Sequence, residues 1–274
     1  MSRLPTIFAP HGGGPCFFME WNPPGTWDRM AAYLRQIPED IGARPKAIVL
    51  ISGHWEEEVV TIQNNTSPPL LYDYYGFPPH TYEIKFPAAG APELSARIAA
   101  LLGEAGIDWK YDHGRGFDHG VFIPLKVAFP NADVPIVQVS LLASLDAEDH
   151  IRLGQALAPL RDEGVLIIGS GMTYHNMQTM MASMRGGGVD VGSPDPGSQR
   201  FDAWLEEVLT KATPENRIDA LAAWHKAPAA RDAHPREEHL LPLHVAVGAA
   251  GTDPGRKTLT DVVMGAVESA FRFG

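Results

Sequence analysis

The sequence predicts an α/β fold: one domain over residues 1–274, with a mostly parallel or mixed central sheet flanked by helices and an active site at the carboxyl ends of the strands. Three stretches predict it. Ala47–Glu56 (AIVLISGHWE) runs β-branched and Leu residues straight into Ser52-Gly53-His54. Such a short, continuously apolar run reads as a strand buried on both faces, as in parallel sheets. Pro5–Ala9 has the same shape and ends in Pro10-His11-Gly12-Gly13-Gly14, and Val165–Ser170 ends in Gly171-Met172-Thr173-Tyr174-His175-Asn176. Each run delivers a histidine at the same end, the rim where open α/β sheets bind ligands. The pattern points to a histidine-bound metal centre on that rim.

Composition narrows the classes. The chain has 274 residues, enough to bury a full core, with 45% hydrophobic and 20% charged residues, ordinary for a globular enzyme. A net charge of −11 argues against general affinity for nucleic acid or an anionic membrane, because both reward clustered Lys and Arg. The single cysteine, Cys16, rules out an intramolecular disulfide and fits a reducing compartment. No apolar run approaches a membrane span, and the N-terminus lacks a signal peptide's basic start and hydrophobic segment. The expectation is a cytoplasmic protein with no membrane and no nucleic-acid partner.

The remaining elements follow in order. Gly12–Gly25 is a Gly/Pro-rich loop, after which Thr26 is placed to cap a helix over Trp27–Gln36. Val59–Gln63 reads as a partner strand for the Ala47 run. Asn64–Pro92 is a long loop with six prolines and many aromatics, read as a wall or lid over a pocket. Pro92–Glu104 has helical periodicity, Gly116–Gly120 is a turn entering a helical stretch at Val121–Phe129, and Pro135–Leu142 alternates as a strand. A helix is predicted over Asp146–Arg161, a surface loop over Gly186–Gly197, and helices over Gln199–Lys211 and Pro214–Trp224. Glu237-Glu238-His239 leads into LLPLHVAVGAAG, a helix stopped by Gly248 or Gly251. Leu259–Phe273 fits strand or helix equally.

Five histidines, His11, His54, His119, His175 and His239, sit where regular structure meets a Gly, Pro or acidic turn. Neutral imidazole suits Zn, Fe, Cu or Ni. Their spacing is long-range, so no local metal motif backs the reading, and each has a plainer one. His119 fits a helix start capped by Asp118, His175-Asn176 fits a capping turn, and His239 fits a helix surface. His234 is a candidate for supporting a ligand from behind. His80, His113, His150, His225 and His244 are taken as structural or solvated. The triple glycine lacks the Lys-Ser/Thr of a P-loop and is read as letting backbone approach the site closely. Cys16 is read as a packed thiol.

PHGGGP, ISGHW, GFDHGVFIPLKVAFP, IIGSGMTYHN and REEHLLPLHVAVGAAG occur in the order found in the DOPA-dioxygenase-like class III extradiol ring-cleaving dioxygenases. That group includes the catalytic subunit of protocatechuate 4,5-dioxygenase. The resemblance spans Ile7–Gly251, and the five blocks together are specific where any one alone is not. It implies that His11, His54 and His239 are metal ligands, that His175 is the catalytic base and that His119 is the second active-site histidine. The third ligand position is Glu in the protocatechuate branch and His in the DOPA-like branch, as here. Ser-Pro usually follows the first His-Gly in the DOPA-like branch, where this chain has Gly13-Gly14-Pro15. On a helix, a one-residue step turns a side chain by about 100°, so Glu237 and Glu238 are expected to point away from the site.

The resemblance implies meta cleavage of a small aromatic diol such as DOPA by O2, on a mononuclear Fe(II), in a monomer or homodimer. Three imidazoles also suit Zn(II). A zinc-dependent hydrolase on the same three histidines is therefore the rival reading, followed by a non-catalytic member of the fold.

Overall fold

The computed structural model describes residues 3–185 and 194–274. Among them, eight strands make one mixed sheet: β1 (Thr6–Pro10), β2 (Ala47–Glu57), β3 (Val60–Gln63), β4 (Trp109–Asp112), β5 (Ile136–Leu142), β6 (Val165–Gly171), β7 (Gly255–Val263) and β8 (Ala266–Phe273). The order across the sheet is β4-β3-β5-β2-β6-β1-β8-β7. The central strands β5, β2, β6 and β1 are mutually parallel. At one end β3 pairs antiparallel with β5 and parallel with β4, and at the other β8 runs antiparallel to both β1 and β7.

The three apolar runs are central because both of their faces are covered. Ile48 and Leu50 pack with Leu166 and Ile168 on one side, while Val49 and Ile51 pack with Val137, Val139 and Ile167 on the other. Alternate side chains thus enter opposite cores, so the strand needs apolar residues at every position rather than every second one. Burial of each such side chain is worth ~1.5–3 kcal/mol. Helices α1 (Asp28–Asp40) and α3 (His119–Ala128) cover one face. Across the sheet, α9 (Leu241–Ala250) lies on β6 and β1, with α4 (Ala147–Leu157) against it. The other helices are α2 (Pro92–Glu104), α5 (Met177–Arg185), α6 (Pro196–Thr210), α7 (Pro214–Ala222) and the single turn α8 (Ala230–Ala233). Among the described residues, no helix is long and apolar enough to cross a membrane.

Several boundaries differ from expectation for physical reasons. β2 does not stop at Gly53: it continues through His54 to Glu57, with a break in its register against β5 between Ile51 and Glu56. β3 does not pair with β2, because β5 lies between them. Thr26 does not cap α1. Its hydroxyl donates to the Pro23 carbonyl, and Trp27 is the cap residue. Leu259–Phe273 resolves into a hairpin of β7 and β8. α9 passes Gly248 and ends at Ala250, followed by Gly251, whose positive φ of 62° is one that glycine adopts freely. Of the predicted Gly186–Gly197 loop, residues 186–193 lie outside the described residues, and Pro196 already begins α6.

Candidate metal centre

Parallel pairing puts the carboxyl ends of β1, β2 and β6 side by side, and the histidines come with them. His11 follows β1, His54 lies in the last third of β2, and His175 stands four residues past β6. His239 arrives from the turn before α9. That turn is held against the sheet by the Met172 N–H, which donates to the His239 carbonyl at 3.0 Å. Two glycines permit the approach. A Cβ on Gly171 would lie 2.1 Å from the His239 carbonyl oxygen, and one on Gly53 3.1 Å from the Glu238 carbonyl oxygen. Gly53 is therefore a contact point within a strand rather than a strand terminator.

The imidazoles of His11, His54 and His239 converge through their Nε2 atoms. His54 Nε2 is 3.1 Å from His11 Nε2 and 3.3 Å from His239 Nε2. Hydrogen bonds behind the rings set the tautomers. Ser170 Oγ donates its only proton to the Gly120 carbonyl at 2.5 Å, so at 3.1 Å from His11 Nδ1 it can only accept. His11 therefore carries its proton on Nδ1, leaving a lone pair on Nε2. His239 Nδ1 lies 2.9 Å from Glu238 Oε1, a carboxylate oxygen that can only accept, which leaves its Nε2 bare as well. His54 can give a proton to one of these neighbours but not both. At least one pair of lone pairs then faces without a proton between them, an arrangement that a cation resolves.

Burial favours the same state. His11 and His239 titrate well below their ordinary value, because burial, reinforced by the neighbouring imidazoles, penalises the charged form. His54 is lowered to about 4 by burial and then by His119. Three neutral imidazoles, their ligand atoms within 4.8 Å of one another, make a donor set that fits Fe(II) or Zn(II).

A buried network fixes His54 and the start of α3 together. Asp118 Oδ1 accepts from Ser52 Oγ at 2.8 Å, and its Oδ2 accepts from Gln138 Nε2 at 2.5 Å and Arg115 Nη2 at 3.1 Å. The same arginine nitrogen donates to the His54 carbonyl at 3.1 Å. Asp118 occupies the cap position of α3 but makes no capping bond, because its carboxylate is committed to this network.

His119 and His175 flank the trio. The His119 ring centroid is 3.9 Å from that of His54, and the His175 ring stacks on His239 at 3.4 Å and 16°. Two carboxylates that the sequence reading missed hold these flanking rings. Asp73, in the long aromatic loop, accepts from both the backbone N–H of His119 at 2.9 Å and its Nδ1 at 2.8 Å. Burial works against the Asp73 carboxylate, but the His119 hydrogen bonds keep it below the usual range. Glu238 faces His175, with Oε1 3.2 Å from Nδ1. The expectation that Glu238 points away is wrong because residues 238–240 form a turn, not a helix, so its side chain folds back onto its neighbour's ring. The acid–histidine adjacency at 238–239 was the available signal. For Asp73 the signal was weaker, an acid set between tyrosines.

The long loop forms a wall. Tyr74 meets His119 edge-on at 5.9 Å between centroids and packs against Phe77 and Tyr82. His234 is fully buried and donates from Nε2 to the Thr173 carbonyl at 3.0 Å, so it supports the turn carrying His175 rather than touching a ligand ring. His80, His113, His150 and His244 bond to backbone, and His225 is exposed. Cys16 is a buried free thiol whose ionisation burial suppresses.

Known proteins resemble the chain along most of its length. The family model described as "Catalytic LigB subunit of aromatic ring-opening dioxygenase" matches residues 5–271. The chain is 40% identical to dioxygenase tasH of Hapsidospora irregularis, covering 97% of this chain and 84% of that one. It is 43% identical to a 4,5-DOPA dioxygenase extradiol of Beta vulgaris, over 76% and 74% of the two chains. A solved structure of an uncharacterised Escherichia coli K12 protein superposes with a TM-score of 0.79 at 28% identity, covering 99% of this chain and all of that one.

Proposed function

The chain belongs to the family of catalytic LigB subunits of aromatic ring-opening dioxygenases, and from that premise we propose that it is an extradiol enzyme inserting O2 into a small catechol. The proposed centre is one non-haem Fe(II) held by His11, His54 and His239. The observation that carries this reading is the meeting of three Nε2 atoms whose protons are fixed elsewhere or cannot all be shared. The preferred substrate class is DOPA-like, because several relatives bear that name.

When bound, the metal supplies Lewis acidity towards the catechol hydroxyls and a redox link between the ring and O2. The chain's own residues handle protons and access. His175 has its Nδ1 against Glu238, which leaves Nε2 to take a proton from a substrate hydroxyl and return it later. His119, with Nδ1 committed to Asp73, exchanges protons through Nε2 on the other side of the trio. The Tyr74–Phe77–Tyr82 wall offers an aromatic face to a planar ring and keeps bulk water from it.

The test is oxygen uptake after anaerobic Fe(II) loading, with DOPA, caffeate and protocatechuate offered in turn. The proposal expects uptake together with a yellow ring-opened product from at least one of them. Absence of uptake with all three, alongside ester or amide hydrolysis indifferent to oxygen, would instead establish a zinc hydrolase on the same histidines.

A further inference from the structure

We propose that Glu238 is a positioning residue that uses one carboxylate oxygen to set the tautomer and direction of two histidines at once, the metal ligand His239 and the proton carrier His175. The roles of those two histidines rest on the functional reading above; the role of Glu238 rests on geometry. Its Oε1 lies 2.9 Å from His239 Nδ1 and 3.2 Å from His175 Nδ1. A carboxylate only accepts, so His239 Nδ1, hydrogen-bonded to it, carries the proton, and the close approach of His175 Nδ1 to the same oxygen favours the same tautomer there; in a neutral imidazole the second nitrogen is then bare. The two rings are nearly parallel, 16° apart at 3.4 Å. With both Nδ1 edges turned to the same oxygen, both Nε2 edges turn away from it together. His239 Nε2 faces His54 Nε2, and the His175 ring lies stacked directly beside it.

The carboxylate is itself held. Arg236 Nη1 lies 3.4 Å from Glu238 Oε2, and the guanidinium is clamped by Glu56 at 2.6 and 2.5 Å. The Glu238 backbone is seated against Gly53 of β2, where a Cβ would press on it. Free histidine in water prefers the proton on Nε2, the tautomer that would turn a hydrogen, not a lone pair, towards substrate and metal. Glu238 reverses that preference at both rings. Partners of this kind, set behind a metal ligand, are typically worth 10–100-fold in metal affinity.

The experiment is long-range proton–nitrogen NMR on 15N-histidine protein loaded with Zn(II), which is diamagnetic, with the His175 signal identified by its loss in His175→Ala. The wild-type spectrum should show His175 protonated on Nδ1 and bare on Nε2. In Glu238→Ala, His175 should move to the Nε2–H form, and the Zn(II) dissociation constant should rise 10–100-fold. Glu238→Gln keeps a carbonyl acceptor and should restore part of both. An Nε2-protonated His175 in the wild type, or an unchanged tautomer in Glu238→Ala, overturns the proposal; should the alanine variant fail to fold, the wild-type spectrum and the glutamine variant still decide it. None of these readouts requires a catechol or O2. Oxygen uptake without the expected tautomers would sink the Glu238 assignment alone. The expected tautomers without oxygen uptake would sink the dioxygenase reading and leave Glu238 in place.

Discussion

Glu268 should make the protein less stable as pH rises, and replacing it with Gln should remove that dependence. The residue lies on β8, fully buried behind the turn that leads to His175. Its Oε2 accepts from the Thr173 N–H at 2.9 Å and the Thr173 hydroxyl at 3.1 Å, while Oε1 has no partner among the described residues. Burial outweighs these bonds and raises the carboxyl from its ordinary 4.5 to about 8. Between those two pH values the folded chain holds a proton that the unfolded chain has released. Stability therefore falls as pH rises across the window: the full contribution is present below 4.5 and gone above about 8. At about 1.4 kcal/mol per pH unit, the loss accumulates to several kcal/mol. Glu268→Gln keeps the acceptor for Thr173 and puts an amide in place of the acid hydroxyl. Urea unfolding of both metal-free proteins at several pH values should show similar stabilities near pH 4.5, with the variant ahead by several kcal/mol near pH 8. A gap between the two that does not change with pH would refute the reasoning.

Two further outcomes follow from the site. His175→Ala and His119→Ala should each lower turnover roughly 10²–10⁴-fold while the bound metal stays stoichiometric, as measured by elemental analysis beside steady-state rates; unchanged turnover in both would remove their proton-handling roles. Gly171→Ala should force the His239 turn off β6, costing about 1–3 kcal/mol by urea unfolding and weakening metal binding with it; wild-type stability and affinity would show that the close approach is not needed.

The fold was legible where burial is two-sided. β1, β2 and β6 announce themselves as unbroken apolar runs because each strand faces a core on both sides. β4, by contrast, is a four-residue edge strand whose Trp109 and Lys110 are exposed, and it carries no such pattern. α5 was missed although its methionines at 177, 180, 181 and 184 fall at helical spacing and Asn176 Oδ1 accepts from the Thr179 N–H as a cap would. The five histidines were found from strand ends and the resemblance together. Asp73 and Glu238 were not, since each acts through a fold-back that a regular-helix or featureless-loop reading cannot supply. The tautomers were equally out of reach, because they depend on Ser170 bridging β6 to α3.

Whether residues 11, 54 and 239 bind a single cation is decided by anomalous diffraction from crystals of the metal-loaded protein. One peak is expected, bonded to the Nε2 atoms of His11, His54 and His239, at about 2.0–2.1 Å for Zn(II). A peak held instead by His54, Asp73 and His119, or by His175, Glu238 and His239, would contradict it.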